Sequence, residues 1–183
     1  MRPSLICVLV VLLAVAAGCG GSTPSASEQW ADSFCGSVDG WATQIRGYAS
    51  DVQTAVTSPS ADSVTTIKST IAKGADATNQ MVSDVKALGP PPSESGQSAS
   101  TTVSSFTTQV EQTLDEVQTQ AQSIQNGSSA SAIVTAAGTI GTEVSAAVAK
   151  GKMTVESLKN QSSELKDGFE KSDSCQQLQD DFG

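Results

Sequence analysis

Apolar residues recur along most of the chain at alternating intervals of three and four, the spacing that puts them on one face of a 3.6-residue helical turn. Trp30, Phe34, Val38, Trp41, Ile45, Tyr48, Val52 and Ala55 form the first such stripe and predict a helix over about 27–57. Ser25 or Ser27, ahead of Glu28, suits its N-cap. Ser58-Pro59-Ser60 interrupts the pattern, and Pro59 fits the first turn of a second helix capped by Ser58 or Ser60. That helix carries Val64, Ile67, Ile71, Ala75, Thr78, Val82, Val85 and Leu88, and Gly89 followed by Pro90-Pro91-Pro92 ends it. Ser93, with Glu94 and Gln97, opens a third. Its stripe is Ala99, Val103, Phe106, Val110, Leu114 or Thr113, Val117, Ala121 and Ile124, closed by Asn126-Gly127-Ser128. The same triplet matches a glycosylation acceptor and is read here as a turn.

From Ser129 the pattern resumes with Ile133, Ala137, Ile140, Val144, Val148, Gly151, Val155, Leu158, Ser162, Leu165 and Phe169, with no jump in phase. One long helix is the simplest reading, and a bend at Gly151-Lys152 is the alternative. A turn near Asp167-Gly168 or Ser172-Asp173-Ser174 leaves Cys175–Asp181 as a short closing segment. Four stripes joined by short links predict an all-α fold, an antiparallel four-helix up-down bundle with long helices. In that topology the first helix starts, and the fourth ends, at the same pole. A straight helix from Ser129 to Cys175 would be about 69 Å long, against about 33 Å from Cys35 to Thr57. The C-terminal part must therefore bend back or double up beneath the bundle.

Composition makes the periodicity decisive. Leu, Ile, Val and Phe supply only 28 of the 165 residues after the first 18, a share that alone would place the chain near the disordered class. A core of Val, Ala and Thr lets helices approach closely but buries little apolar area per residue.

The first 19 residues, MRPSLICVLVVLLAVAAGC, join a basic Arg2 to an apolar run over 5–17 and a small-residue approach, Ala16-Ala17-Gly18, to Cys19. The run is shorter than the 20 or so residues that cross a bilayer. This stretch resembles the signal of a bacterial lipoprotein, whose small-residue lipobox ends in the cysteine that becomes the lipid-modified first residue. Ala16 stands where that family more often has Leu. The resemblance implies removal of residues 1–18, diacylation of Cys19, a flexible tether over 19–27 and a helical domain over 28–183. It places the protein on the extracytoplasmic face of the cytoplasmic membrane, held there by its lipid. The lipobox, the Gly/Ser/Pro tether and the segment Trp30-Ala31-Asp32-Ser33-Phe34-Cys35 are similar in style to small lipoproteins of high-GC Gram-positive bacteria, a likeness that carries no activity over.

With Cys7 in the signal and Cys19 committed to lipid, Cys35 and Cys175 remain as a pair in an oxidising compartment, and a disulfide between them is expected to close the bundle.

The net charge of −9 at pH 7 argues against nucleic acid and anionic lipid headgroups as partners. Histidine is absent, which removes the commonest general base and metal ligand. The densest acidic group, Glu111, Asp115 and Glu116, reads as a solvated helical face rather than a metal site. No nucleophile elbow or phosphate loop is present. The expectation is a protein without catalytic residues, metal or cofactor: an interaction or accessory module of the cell envelope, with an envelope protein as partner. The alternative is a carrier for a lipid or other apolar ligand. For that role Trp30, Phe34, Trp41 and Tyr48 are the candidate pocket residues, although aromatic residues on such a stripe are more often core.

Overall fold

The computed structural model describes residues 23–58, 62–125 and 128–182. The signal-like stretch and Cys19 lie outside them, as do Pro59, Ser60, Asn126 and Gly127. The described chain is helical and has no strand: α1 (Ala26–Thr57), α2 (Ser63–Ala87), α3 (Gly96–Ser123), α4 (Ala130–Lys159), α5 (Ser163–Lys171) and α6 (Asp173–Phe182).

Each boundary has a local cause. Ser25 caps α1, its Oγ accepting from the Glu28 N–H at 3.1 Å. This satisfies one of the donors that every helix start leaves free. α2 begins at Ser63 behind Asp62, so its first turn lies beyond Pro59. It ends where Gly89 adopts φ +66°, the left-handed conformation expected there. α3 starts at Gly96 rather than Ser93, because residues 93–95 are used in a turn closed by the Gly96 N–H on the Ser93 carbonyl. Gly96 sits so close to the Pro91 carbonyl that a Cβ would lie 2.6 Å from its oxygen. Ser129 caps α4 through the Ala132 N–H.

The long fourth helix stops at Lys159 and runs unbroken through Gly151. Gly151 lies within α4, where a Cβ would meet Val38 Cγ1 at 3.1 Å, so the glycine brings α4 close to α1. The break is at Asn160-Gln161-Ser162. The Asn160 amide donates back to the Glu156 carbonyl, and Ser162, in register with the apolar stripe, caps α5 by accepting from the Leu165 N–H at 3.2 Å. A second stop at Ser172 separates α5 from α6. The C-terminal segment thus doubles up as two short helices.

α1 packs on α2, α2 on α3, α3 on α4, and α4 on α1; α5 and α6 lie against α1 and α4. The start of α1 meets the end of α2, where Trp30 Nε1 donates to the Gly89 carbonyl (3.1 Å) and Ser27 Oγ to that of Pro92 (3.0 Å). Near its middle, Trp41 Nε1 donates to Thr78 Oγ1 at 3.0 Å. The end of α4 meets the start of α3 through Gln161 Nε2 and Thr102 Oγ1, 2.7 Å apart.

The buried core falls into two clusters, with the half-buried Val144 packed against both. One cluster, at the pole of the disulfide, is built around Phe34, Val38, Phe106, Leu158, Leu165 and Phe169. The other, at the opposite end, gathers Val52, Ile67, Ile71, Val117, Ile124 and Ile140. Both clusters and the disulfide lie between Trp30 and Leu178. The segment from residue 23 onward therefore contains both clusters of the core.

Candidate functional site

Three regions carry the residues that the sequence singles out. The first is the disulfide pole. Cys35 and Cys175 are bonded, with sulfurs 2.04 Å apart and a sequence separation of 140 residues, and both are fully buried. Ser172 positions the second cysteine. Its Oγ accepts from the Cys175 N–H at 3.1 Å, capping α6, and donates to Asp32 Oδ1 at 2.9 Å on α1. The Ser174 N–H adds a second donor to the same oxygen. The polar clasp and the covalent bond thus hold α6 against the same stretch of α1.

Two carboxylates at this pole are perturbed in opposite directions. Burial pushes the Asp32 pKa up, but the hydrogen bonds from Ser174 and Ser172 outweigh it and hold the group below its ordinary 3.8. Its contribution to stability is therefore present above the unfolded value and lost as the pH falls through the lower folded one. Asp39 is raised, first by burial and then by the charge of Asp181 on α6, with Arg46 acting against both. Its Oδ1 is buried without a hydrogen-bond partner among the described residues. The charged form is the disfavoured one, and the penalty is relieved as the pH drops through the raised folded value. Replacing Asp39 by Asn should raise the melting temperature at pH 7 by about 1–3 °C, with the gain fading as the pH falls through the raised folded value and gone below the ordinary 3.8. Melting curves across that range check the sign; a loss at pH 7 would contradict it.

The second region is aromatic. Trp30 stacks on Phe34 with centroids 5.3 Å apart and planes 8° apart. Phe169 meets both rings edge-on at 6.2 and 6.3 Å, and Phe106 meets Phe34 at 6.4 Å. Phe34 is 0% exposed and Trp30 7%. These two rings are closed core, so the four aromatic residues of α1 do not share one pocket.

Trp41 and Tyr48 belong to the third region, a cavity of about 220 Å³ between the two apolar clusters. All four long helices contribute walls: Ile45 and Val52 from α1, Ile71 and Ala75 from α2, Val110 and Val117 from α3, Ala137 and Ile140 from α4. The gap follows from residue size. At this level α2 offers Thr70, Gly74, Ala75 and Thr78 beside Ile71, and α4 offers Ala137 and Gly141 beside Ile140 and Val144, so part of the space between the clusters stays unfilled. Ala75 is buried yet belongs to neither cluster. The best-placed polar atom, Thr78 Oγ1, is already engaged, accepting from Trp41 and donating to the Gly74 carbonyl at 2.8 Å.

The acidic group on α3 is not a convergent site. Glu111 pairs with Lys86 at 2.7 Å, while Asp115 and Glu116 are exposed. Among the described residues no three His, Cys, Asp or Glu side chains gather as a metal-binding group.

No known protein family matches the chain, and neither the curated proteins nor the solved structures include one detectably similar to it.

Proposed function

We propose that this protein is a non-catalytic module of the cell envelope, lipid-anchored through Cys19 on the outer face of the cytoplasmic membrane, which binds an apolar ligand inside an antiparallel up-and-down four-helix bundle. The observation that carries the reading is the 220 Å³ cavity walled by aliphatic and aromatic side chains from four helices. An enclosed apolar cavity of about 150 Å³ in a protein core accepts benzene; this pocket is larger, mainly apolar in its lining and partly open to solvent, which gives an apolar guest both room and a way in. The antiparallel arrangement is supported by the contacts of Trp30 with Gly89 and of Gln161 with Thr102, which join the beginning of one helix to the end of the next. The compartment is supported by the lipobox-like Ala16–Cys19 and by a disulfide, a bond that persists in oxidising surroundings.

The test is native mass spectrometry of the protein made in its own envelope and released without detergent by cleavage within residues 20–24. The expected result is a folded chain with an additional apolar mass that organic extraction removes. A protein that leaves the envelope empty would contradict ligand binding and return the role to contacts made by the outer helical faces.

A further inference from the structure

Resting on the reading of the cavity as a ligand site, we infer that the apolar ligand enters and leaves between α1 and α4, through a slit that opens where α6 ends.

Helix phase defines one flank of α1. Cys35, Asp39, Ala42, Arg46, Ala49 and Gln53 follow one another at intervals of four and three and so share one side of that helix. The first half of this flank is covered by α6. Cys175 is bonded to Cys35, and Asp181 in the last turn of α6 lies against Asp39, so α6 advances along α1 in the same direction. Ala42, the next residue of the flank, is fully buried. Beyond it the cover stops: Arg46 and Gln53 are exposed, and Ala49 between them is half-buried.

α4 changes at the same level. A Cβ on Gly151 would meet Val38 Cγ1 at 3.1 Å. With α1 and α4 antiparallel, that contact sets Val148 level with Trp41, Val144 with Ile45 and Ile140 with Ala49. Val155, Gly151 and Val148 are buried, whereas Val144 and Gly141 are half-buried and Ser145 is exposed. Two helices read separately thus lose their cover at one level, where α6 runs out.

The bare stretch is the rim of the cavity. Ala49 and Gln53 on α1 and Gly141, Val144 and Ser145 on α4 all line it, and Gln53 and Ser145 are its two exposed lining residues. Ser145 is level with Gln44, about nine residues from Gln53, so the pair mark opposite ends of a slit about 13 Å long. Ala49 and Gly141, between those ends, present almost no side chain to block it. The seam between α1 and α2 is closed by contrast. A Cβ at Gly74 would lie 3.6 Å from Ile45 Cδ1 and 3.7 Å from Tyr48 Cδ2, and Trp41 is hydrogen-bonded across to Thr78. Of the four neighbouring pairs of long helices, α1 and α4 are the least closely packed, because α5 and α6 also lie against both. Parting this seam therefore disrupts the least packing.

The experiment uses protein folded in its own envelope, released by cleavage within residues 20–24 and freed of bound ligand on a hydrophobic resin, with iodobenzene as the probe. The iodine quenches tryptophan emission on contact; Trp41 lines the cavity, whereas Trp30 is stacked in closed core. Stopped-flow mixing gives the association and dissociation rates. Ser145→Phe combined with Gln53→Phe, which lays a ring over each end of the slit, should slow both rates about tenfold and change the affinity by less than about threefold. Gln44→Phe, a ring of the same size at the same level but on the α2 side of α1, should leave both rates within about twofold. Should the double variant not fold, Gly141→Val narrows the slit at a position where a Cβ meets nothing within 4 Å. Rates unchanged by the slit variants, or slowed by Gln44→Phe instead, would overturn this entrance while the ligand site stood. A slit variant that weakened affinity about tenfold at an unchanged association rate would place these residues in the binding site and overturn their role as its entrance. Tryptophan emission that iodobenzene never quenches would overturn the ligand site itself.

Discussion

Replacing both Cys35 and Cys175 by alanine should lower the stability of the folded domain by about 5 kcal/mol, the chain-entropy estimate for opening a loop of this length. For a domain of this size that corresponds to a drop of roughly 10–20 °C in melting temperature. The bond joins residues 140 apart and so restrains nearly the whole unfolded chain. It also holds in place α6, only ten residues long, which would be marginal as an isolated helix. The effect should be reproduced by adding reductant to the unaltered protein. Hydrogen exchange should show α6 amides losing protection first, because the clasp of Asp32 with Ser172 and Ser174 and the packing of Leu178 would then hold that helix without a covalent tie. A melting temperature within 2 °C of the oxidised protein would contradict this account of the pole.

Phe169→Ala should cost about 3–5 kcal/mol, in the range for removing a fully buried aromatic ring. Phe169 is 0% exposed and stands edge-on to both Trp30 and Phe34. It is also one of three buried residues on α5, with Leu165 and Gly168. Gly168 allows the approach: a Cβ there would lie 2.7 Å from the Ser27 carbonyl oxygen. Losing the ring leaves a void under Trp30, so tryptophan emission should shift to the red along with the fall in stability. The disulfide remains intact in this variant, so unfolding should still begin from a closed loop. A loss below 1 kcal/mol with unchanged emission would show that α5 is not docked through this residue.

Much of the fold is legible in the chain because helix faces depend on spacing alone. The Trp30 to Val52 stripe of α1 is buried as its intervals of three and four predict, apart from a half-buried Tyr48. The sulfur pair follows from the cysteine count once Cys7 and Cys19 are assigned to the lipobox-like start. The break in the fourth helix is harder to read, because Ser162 falls in phase with the apolar stripe while serving as a cap. The local signal is the run Asn160-Gln161-Ser162-Ser163, four polar residues whose side chains compete for backbone hydrogen bonds. The pairing of Asp32 with Ser172 and of Asp39 with Asp181 depends on how α6 folds back, which no spacing within α1 records.

The cavity belongs to the same illegible class. Periodicity tells which face of a helix turns inward but not which residues of four helices meet at one level. Gly74, Ala75, Ala137 and Gly141 are unremarkable along the chain and leave a void only because the helices bring them together. The aromatic residues of α1 could be located in sequence, but their division could not. Trp30 and Phe34 are closed off by Phe106 and Phe169 from α3 and α5, whereas Trp41 and Tyr48 face the small residues of α2 and α4.

The most direct measurement is a crystal of the disulfide-bonded domain exposed to xenon under pressure, since xenon enters apolar cavities. A xenon site bounded by Ile45, Ile71, Val117 and Ile140, between the two clusters, is the predicted result. Continuous side-chain packing at that level, with no xenon bound there, would contradict the account.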